Sequence, residues 1–118
     1  MSVVNCKVKY IRPQYKNLEE WMKDESNVYI GRAGVVFVNN VRCPKKASEF
    51  ANPYKIGKDG TRDEVLEKYR VYIENRIKTD EKLLNELKKL EGKNLGCWCS
   101  PEKCHGDILM EILNKLNK

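Results

Sequence analysis

Early in the chain the apolar residues come in short, partly alternating runs; later they recur at intervals of three and four. Residues 3–11, Val-Val-Asn-Cys-Lys-Val-Lys-Tyr-Ile, alternate in part and are rich in β-branched side chains, the pattern of a half-buried strand that Pro13 ends. Asn17 then caps a short predicted helix through Leu18, Trp21 and Met22. Val28-Tyr29-Ile30 reads as a strand stopping at Gly31-Arg32. Residues 34–38 and Val41 flank an Asn39-Asn40 turn, since asparagine tolerates the left-handed backbone of tight hairpins.

From Cys43 to Gly60 the periodicity disappears, and a loop this long in a small domain is often functional. Thr61-Arg62-Asp63-Glu64 has the form of a capping box and opens a helix whose stripe is Val65, Leu66, Tyr69, Tyr72, Ile73 and Ile77. Thr79 caps a second helix carrying Leu83, Leu84, Leu87 and Leu90, which Gly92 ends. Residues 93–99 resemble a buried strand that Ser100-Pro101 stops. A terminal helix from about Cys104 to Leu116 presents Ile108, Leu109, Ile112, Leu113 and Leu116 on one face. These elements predict one α/β domain, a short sheet of three to five strands covered by helices.

Composition narrows the picture. A chain of 118 residues leaves room for a single core. With 41% hydrophobic residues it is too apolar for a disordered tail, and no run reaches the ~18–20 apolar residues of a membrane span. The amino terminus shows no basic segment followed by an apolar run, so the expectation is a cytoplasmic protein with no membrane partner. Residues 1–60 carry 11 basic and 6 acidic side chains, residues 61–118 carry 12 and 11, so an anion-binding surface is expected mainly in the first half.

Three of the five cysteines crowd into Cys97, Cys99 and Cys104, followed by His105, the only histidine. In a reducing compartment such a cluster points to metal or chemistry before a disulfide. Cys97, Cys99, Cys104 and His105 have the composition of a tetrahedral zinc site, although their spacing departs from the usual C-x2-C pairs. Alternatively, a helix start favours a Cys104 thiolate, with His105 as acid or base and Asp107 to orient it. A structural role is the third reading: buried small cysteines and a first-turn acid at Asp107.

Residues 48–62 combine donors, glycines and cations just ahead of a helix. Lys55, Lys58, Arg62 and helix-start amides are what a phosphate needs, and Arg32 at a strand's carboxyl end belongs beside them. Ordinary turn and cap chemistry accounts for Asn52-Pro53, Asp59-Gly60 and Thr61 equally well.

Four segments carry a family resemblance: Val28-Tyr29-Ile30-Gly31-Arg32; Ser48-x-Phe50-Ala51-Asn52-Pro53-Tyr54-Lys55-Ile56-Gly57; Asp59-Gly60-Thr61-Arg62-x-Glu64-Val65; and Gly92-Lys93-Asn94-Leu95-Gly96-Cys97-Trp98-Cys99-x-Pro101-x-x-Cys104-His105-Gly106-Asp107. In this order they resemble the family catalogued as domain of unknown function 4326, with members in bacteria, phages and large DNA viruses. The match covers about residues 28–113; Phe50 stands where members often have tryptophan, and residues 1–27 form an extension. The resemblance implies no reaction. It groups Arg32, Ser48, Asn52, Asp59, Arg62, Cys99, Cys104, His105 and Asp107 as one candidate site.

The function expected from these readings is binding, with or without processing, of a nucleotide-like or other phosphate-containing ligand. Arg32, Lys55 and Arg62 would hold the anion, Asn52 and Asp59 would read a sugar or base, and Cys104 or His105 would act on a glycosidic or phosphate bond. The alternative is a non-enzymatic binding module, either ligand-sequestering or a zinc-stabilised nucleic-acid binder with Tyr10, Tyr15, Trp21 and Tyr54 stacking on bases.

Overall fold

Short strands with alternating side chains can bury both faces only if helices cover each side, and this chain does so. The computed structural model describes residues 2–98 and 102–116. In chain order the elements are β1 (Ser2–Asn5), α1 (Val8–Ile11), α2 (Leu18–Lys23), β2 (Asn27–Tyr29), β3 (Val36–Val38), β4 (Val41–Cys43), α3 (Arg62–Thr79), α4 (Glu81–Lys88), β5 (Asn94–Cys97) and α5 (His105–Leu116).

The last strand lies in the middle of a parallel sheet of order β1-β5-β2, with Leu95 level with both Val3 and Val28. Period-two alternation sorts the side chains. Val3, Val28, Ile30, Leu95 and Cys97 pack into a core with Leu66, Tyr69 and Ile73 of α3, Leu83 and Leu87 of α4, and Ile108, Leu109 and Ile112 of α5. Val4, Cys6, Tyr29 and Trp98 join Ile11, Leu18 and Trp21 on the opposite side. The fold is α/β, a small sheet covered by helices. β3 and β4 form a separate antiparallel hairpin, with Asn39 and Asn40 at φ of 51° and 67° as its turn requires.

Three local expectations are corrected. The first strand stops at Asn5, whose Oδ1 accepts the Lys7 amide at 3.0 Å and turns the chain into α1; Ile11 is then buried while Tyr10 is exposed. Thr79 lies inside α3 and donates to the Asn75 carbonyl, while Asp80 caps α4 by accepting the Leu83 amide. β5 ends at Cys97, and Cys99, Ser100 and Pro101 lie outside the described residues. The Thr61 capping box and the Asn17 cap are formed as expected. Among the described residues no helix is long and apolar enough to cross a membrane.

Candidate functional site

The carboxyl ends of β2 and β5 and the amino ends of α3 and α5 meet at one cleft of about 420 Å³. In α/β sheets this is where ligands bind, because loops diverge there and helix amides face the opening.

One wall is built from Gly31 onward. The Tyr29 ring folds across the space that a Gly31 Cβ would fill, so only glycine fits. Tyr29 Oη thereby donates to the Arg32 carbonyl at 2.8 Å and accepts from Trp98 Nε1 at 2.9 Å. Arg32 extends to the irregular segment, donating to the Asn52 carbonyl through Nε and Nη2 and to the Tyr54 carbonyl at 3.0 Å. Asn52 is 9% exposed; its Oδ1 accepts the Tyr54 amide, and its Nδ2 has no protein acceptor among the described residues. The buried Tyr69 hydroxyl ties the same segment to α3 by donating to the Phe50 carbonyl.

The other wall is the start of α5. Asp107 Oδ2 accepts the Cys104 amide at 2.9 Å, satisfying a helix-start donor. Gly106 sits so close to Ile30 and Val3 that an added Cβ would lie 3.0 Å from each, which seats the helix directly on the sheet. His105 Nε2 is then 2.6 Å from the Ile30 carbonyl, with its ring edge-on to Tyr69 at 5.2 Å. A carbonyl only accepts, so the proton sits on Nε2 and Nδ1 keeps a lone pair. Burial, and after it the Arg32 charge, hold the imidazole pKa below its ordinary 6.5 against the pull of the Ile30 carbonyl, leaving the ring neutral near pH 7.

Cys104 corrects the thiolate expectation. Its thiol is pushed up by the adjoining Cys97 thiol and by burial, and the Gly106 amide pointing at its sulfur does not offset them. The helix start is there, but water is not.

Four cations line the cleft, Arg32, Lys55, Arg62 and Lys103, and no carboxylate lines it among the described residues. They come equally from the two halves of the chain, so the first-half charge excess does not locate this surface. Arg62 donates to the Lys103 carbonyl and to Glu102, whereas the Lys55 and Lys103 ammonium groups carry no such partner among the described residues.

Of the residues singled out from the sequence, Arg32, Asn52, Lys55, Arg62, Cys97, Cys104 and His105 line the cleft. Ser48, Asp59, Thr61 and Asp107 stand behind it. Ser48 Oγ accepts the Phe50 amide, Asp59 accepts the Lys55 amide at 2.8 Å, Thr61 caps α3, and Asp107 holds Cys104 and does not orient His105. Cys99 lies outside the described residues. For zinc, no group of three or more His, Cys, Asp or Glu side chains gathers among the described residues, and His105 Nε2 faces a carbonyl. Sequence reasoning passed over Lys103, Trp98 and the apolar floor of Val65 and Leu66. Only the position of Lys103, directly ahead of the helix start, offered a signal.

Among known proteins, the chain is 42% identical over 64 residues to an uncharacterized 12.4 kDa protein from the nrdA-td intergenic region of Enterobacteria phage T4. That match takes in 53% of this chain and 59% of the phage protein's length, so it spans little more than half of each. It is 32% identical over 100 residues to an uncharacterized protein of Acanthamoeba polyphaga mimivirus, covering 78% of this chain and 70% of the relative. No solved structure matches. A family model matches residues 14–115, starting ahead of the four motif segments, and the chain belongs to that family, described as Domain of unknown function (DUF4326).

Proposed function

We propose that the cleft binds a phosphate-containing, nucleotide-like ligand. The observation that carries the reading is that one cleft is lined by Lys55 and Lys103, whose ammonium groups hydrogen-bond no carboxylate among the described residues, together with Asn52, whose Nδ2 has no protein acceptor among them. Arg32 and Arg62 add positive potential while bracing the walls, which differs from the direct anion grip read from the sequence. Val65, Leu66 and Tyr54 offer an apolar surface for a base or sugar. For chemistry at a glycosidic or phosphate bond, the Nδ1 lone pair of His105 is the better candidate base, and the buried Cys104 the weaker nucleophile. A cytoplasmic setting accords with a nucleotide-like ligand and with thiols kept reduced.

Calorimetric titration with adenosine, adenosine monophosphate, guanosine monophosphate and inorganic phosphate tests the reading. Monophosphates should bind more tightly than adenosine, and Lys55→Ala with Lys103→Ala should weaken them about tenfold or more at low salt, the scale of lost charged hydrogen bonds. Equal affinity of the double variant and the parent overturns it.

One observation favours the nucleic-acid reading. Residues 31–48 carry four cations and no carboxylate, and on the β3–β4 hairpin Phe37 is 65% exposed with the Arg42 guanidinium 4.9 Å from its ring centre. Oligonucleotide binding that falls steeply with salt and is lost in Phe37→Ala would move the ligand to this hairpin. Native mass spectrometry of protein purified without added metal checks zinc separately.

A further inference from the structure

Beneath the cleft two sulfurs lie side by side. Cys97 closes the central strand and Cys104 immediately precedes α5, and their Sγ atoms are 3.1 Å apart at 1% and 2% exposure. Both line the cleft floor, so local opening on the cleft side, rather than unfolding of the whole core, brings a reactant to them. The neighbouring sheet thiol, Cys6, belongs to the core on the opposite side, and Cys43 packs against that same core. Burial among apolar groups does not require two thiols at this spot; a single small residue would fill each position. A covalent bond needs the sulfurs to approach by about 1 Å, since a disulfide spans ~2.05 Å.

From this juxtaposition we propose that Cys97 and Cys104 form an oxidisable dithiol that reacts with low-molecular-weight disulfides to give an intramolecular disulfide across the cleft floor. Either sulfur, once deprotonated, attacks one sulfur of a disulfide RSSR, forming a mixed disulfide with that cysteine and releasing RS⁻. The thiolate of the other cysteine, 3.1 Å away, then attacks the cysteine sulfur of the mixed disulfide, the Cys97–Cys104 bond forms, and a second RS⁻ leaves. Two electrons pass from the cysteines to RSSR, and the two thiol protons end on two RSH molecules. The bond ties the carboxyl end of β5 to the amino end of α5. It closes the loop that carries Trp98 and Lys103, two cleft residues. The thiol chemistry does not depend on which ligand the cleft takes.

The test uses the full chain, reduced, freed of reductant, and equilibrated with glutathione disulfide. After acid quenching it is unfolded, alkylated with N-ethylmaleimide, weighed intact, and digested without reduction. The expected product has lost two hydrogens, takes up two fewer labels than the reduced chain, and yields a peptide joined through Cys97 and Cys104. Cys99→Ser and Cys6→Ser should keep that link, and Cys104→Ala should lose it. Uptake of all five labels after oxidation, or a link mapping to Cys99 or Cys6, overturns the proposal. Mapping on the unsubstituted protein decides the matter even if a cysteine variant fails to fold. Nucleotide titration of the reduced protein is a separate readout, so failure of one reading leaves the other standing.

Discussion

The two walls of the cleft are held by different physics. The α5 wall rests on apolar burial: Ile108, Leu109 and Leu113 are at most 1% exposed and pack against the sheet and α3. The opposite wall, residues 44–61 without helix or strand, is held by polar bonds. Arg32 reaches two carbonyls, Tyr69 reaches Phe50, and Lys68 donates to the Asp59 carbonyl at 2.6 Å. A wall fixed by burial moves only with the whole fold, whereas one fixed by hydrogen bonds can open locally at small cost. Rigid chemistry on one side and an adaptable rim on the other is the arrangement a ligand site needs.

The largest expected effect comes from breaking the apolar wall. Leu109→Ala removes a fully buried side chain and should destabilise the protein by about 2–5 kcal/mol, read from urea denaturation. A loss below about 1 kcal/mol would mean that α5 is not seated as described.

Next is His105, which joins α5 to the sheet. His105→Ala leaves the Ile30 carbonyl without its donor and should cost about 1–3 kcal/mol. The histidine also brings a pH dependence. Its folded pKa is below 6.5, so the neutral ring's contribution is complete above that value and is lost as pH falls from 6.5 towards the lowered folded pKa. Thermal melting followed from pH 7.5 to pH 5 should therefore decline in the parent and decline less in His105→Ala; parallel curves would remove the histidine from the account.

Arg32→Ala tests the polar wall. Hydrogen exchange of the amides in residues 48–60 should quicken at least tenfold, while global stability falls by only about 1–2 kcal/mol. Unchanged exchange would show that Tyr69 and Lys68 suffice to hold the segment. The smallest effect belongs to the exposed Arg62–Glu102 pair at the mouth, where Glu102→Gln should change stability by less than about 1 kcal/mol. It should nonetheless strengthen nucleotide binding slightly by freeing positive charge, a result that titration can read.

Much of this was legible beforehand for reasons that particular residues make plain. Thr61 and Glu64 announce a helix start because both partners of the capping box lie within four residues, and the Asn39-Asn40 turn is equally local. Asn5 was misread because one side chain accepting an amide two residues on outweighed the β-branched run around it. At the site, the sequence marked Arg32, Asn52, Lys55, Arg62 and His105 but could not separate cleft residues from braces. Asp59 and Asp107 have the chemistry of ligand-binding groups and spend it on the Lys55 and Cys104 amides.

Local patterns thus determined the elements, the α/β class and the candidate groups, since caps, turns and stripes are written in neighbouring residues. Only the tertiary structure decided that Cys97 meets Cys104 under the cleft, that the Cys97 thiol and burial outweigh the helix start at Cys104, and that His105 Nε2 donates a hydrogen bond to the Ile30 carbonyl. Those outcomes depend on desolvation and on groups up to 75 positions apart in the chain, and neither quantity is carried by any local run of residues.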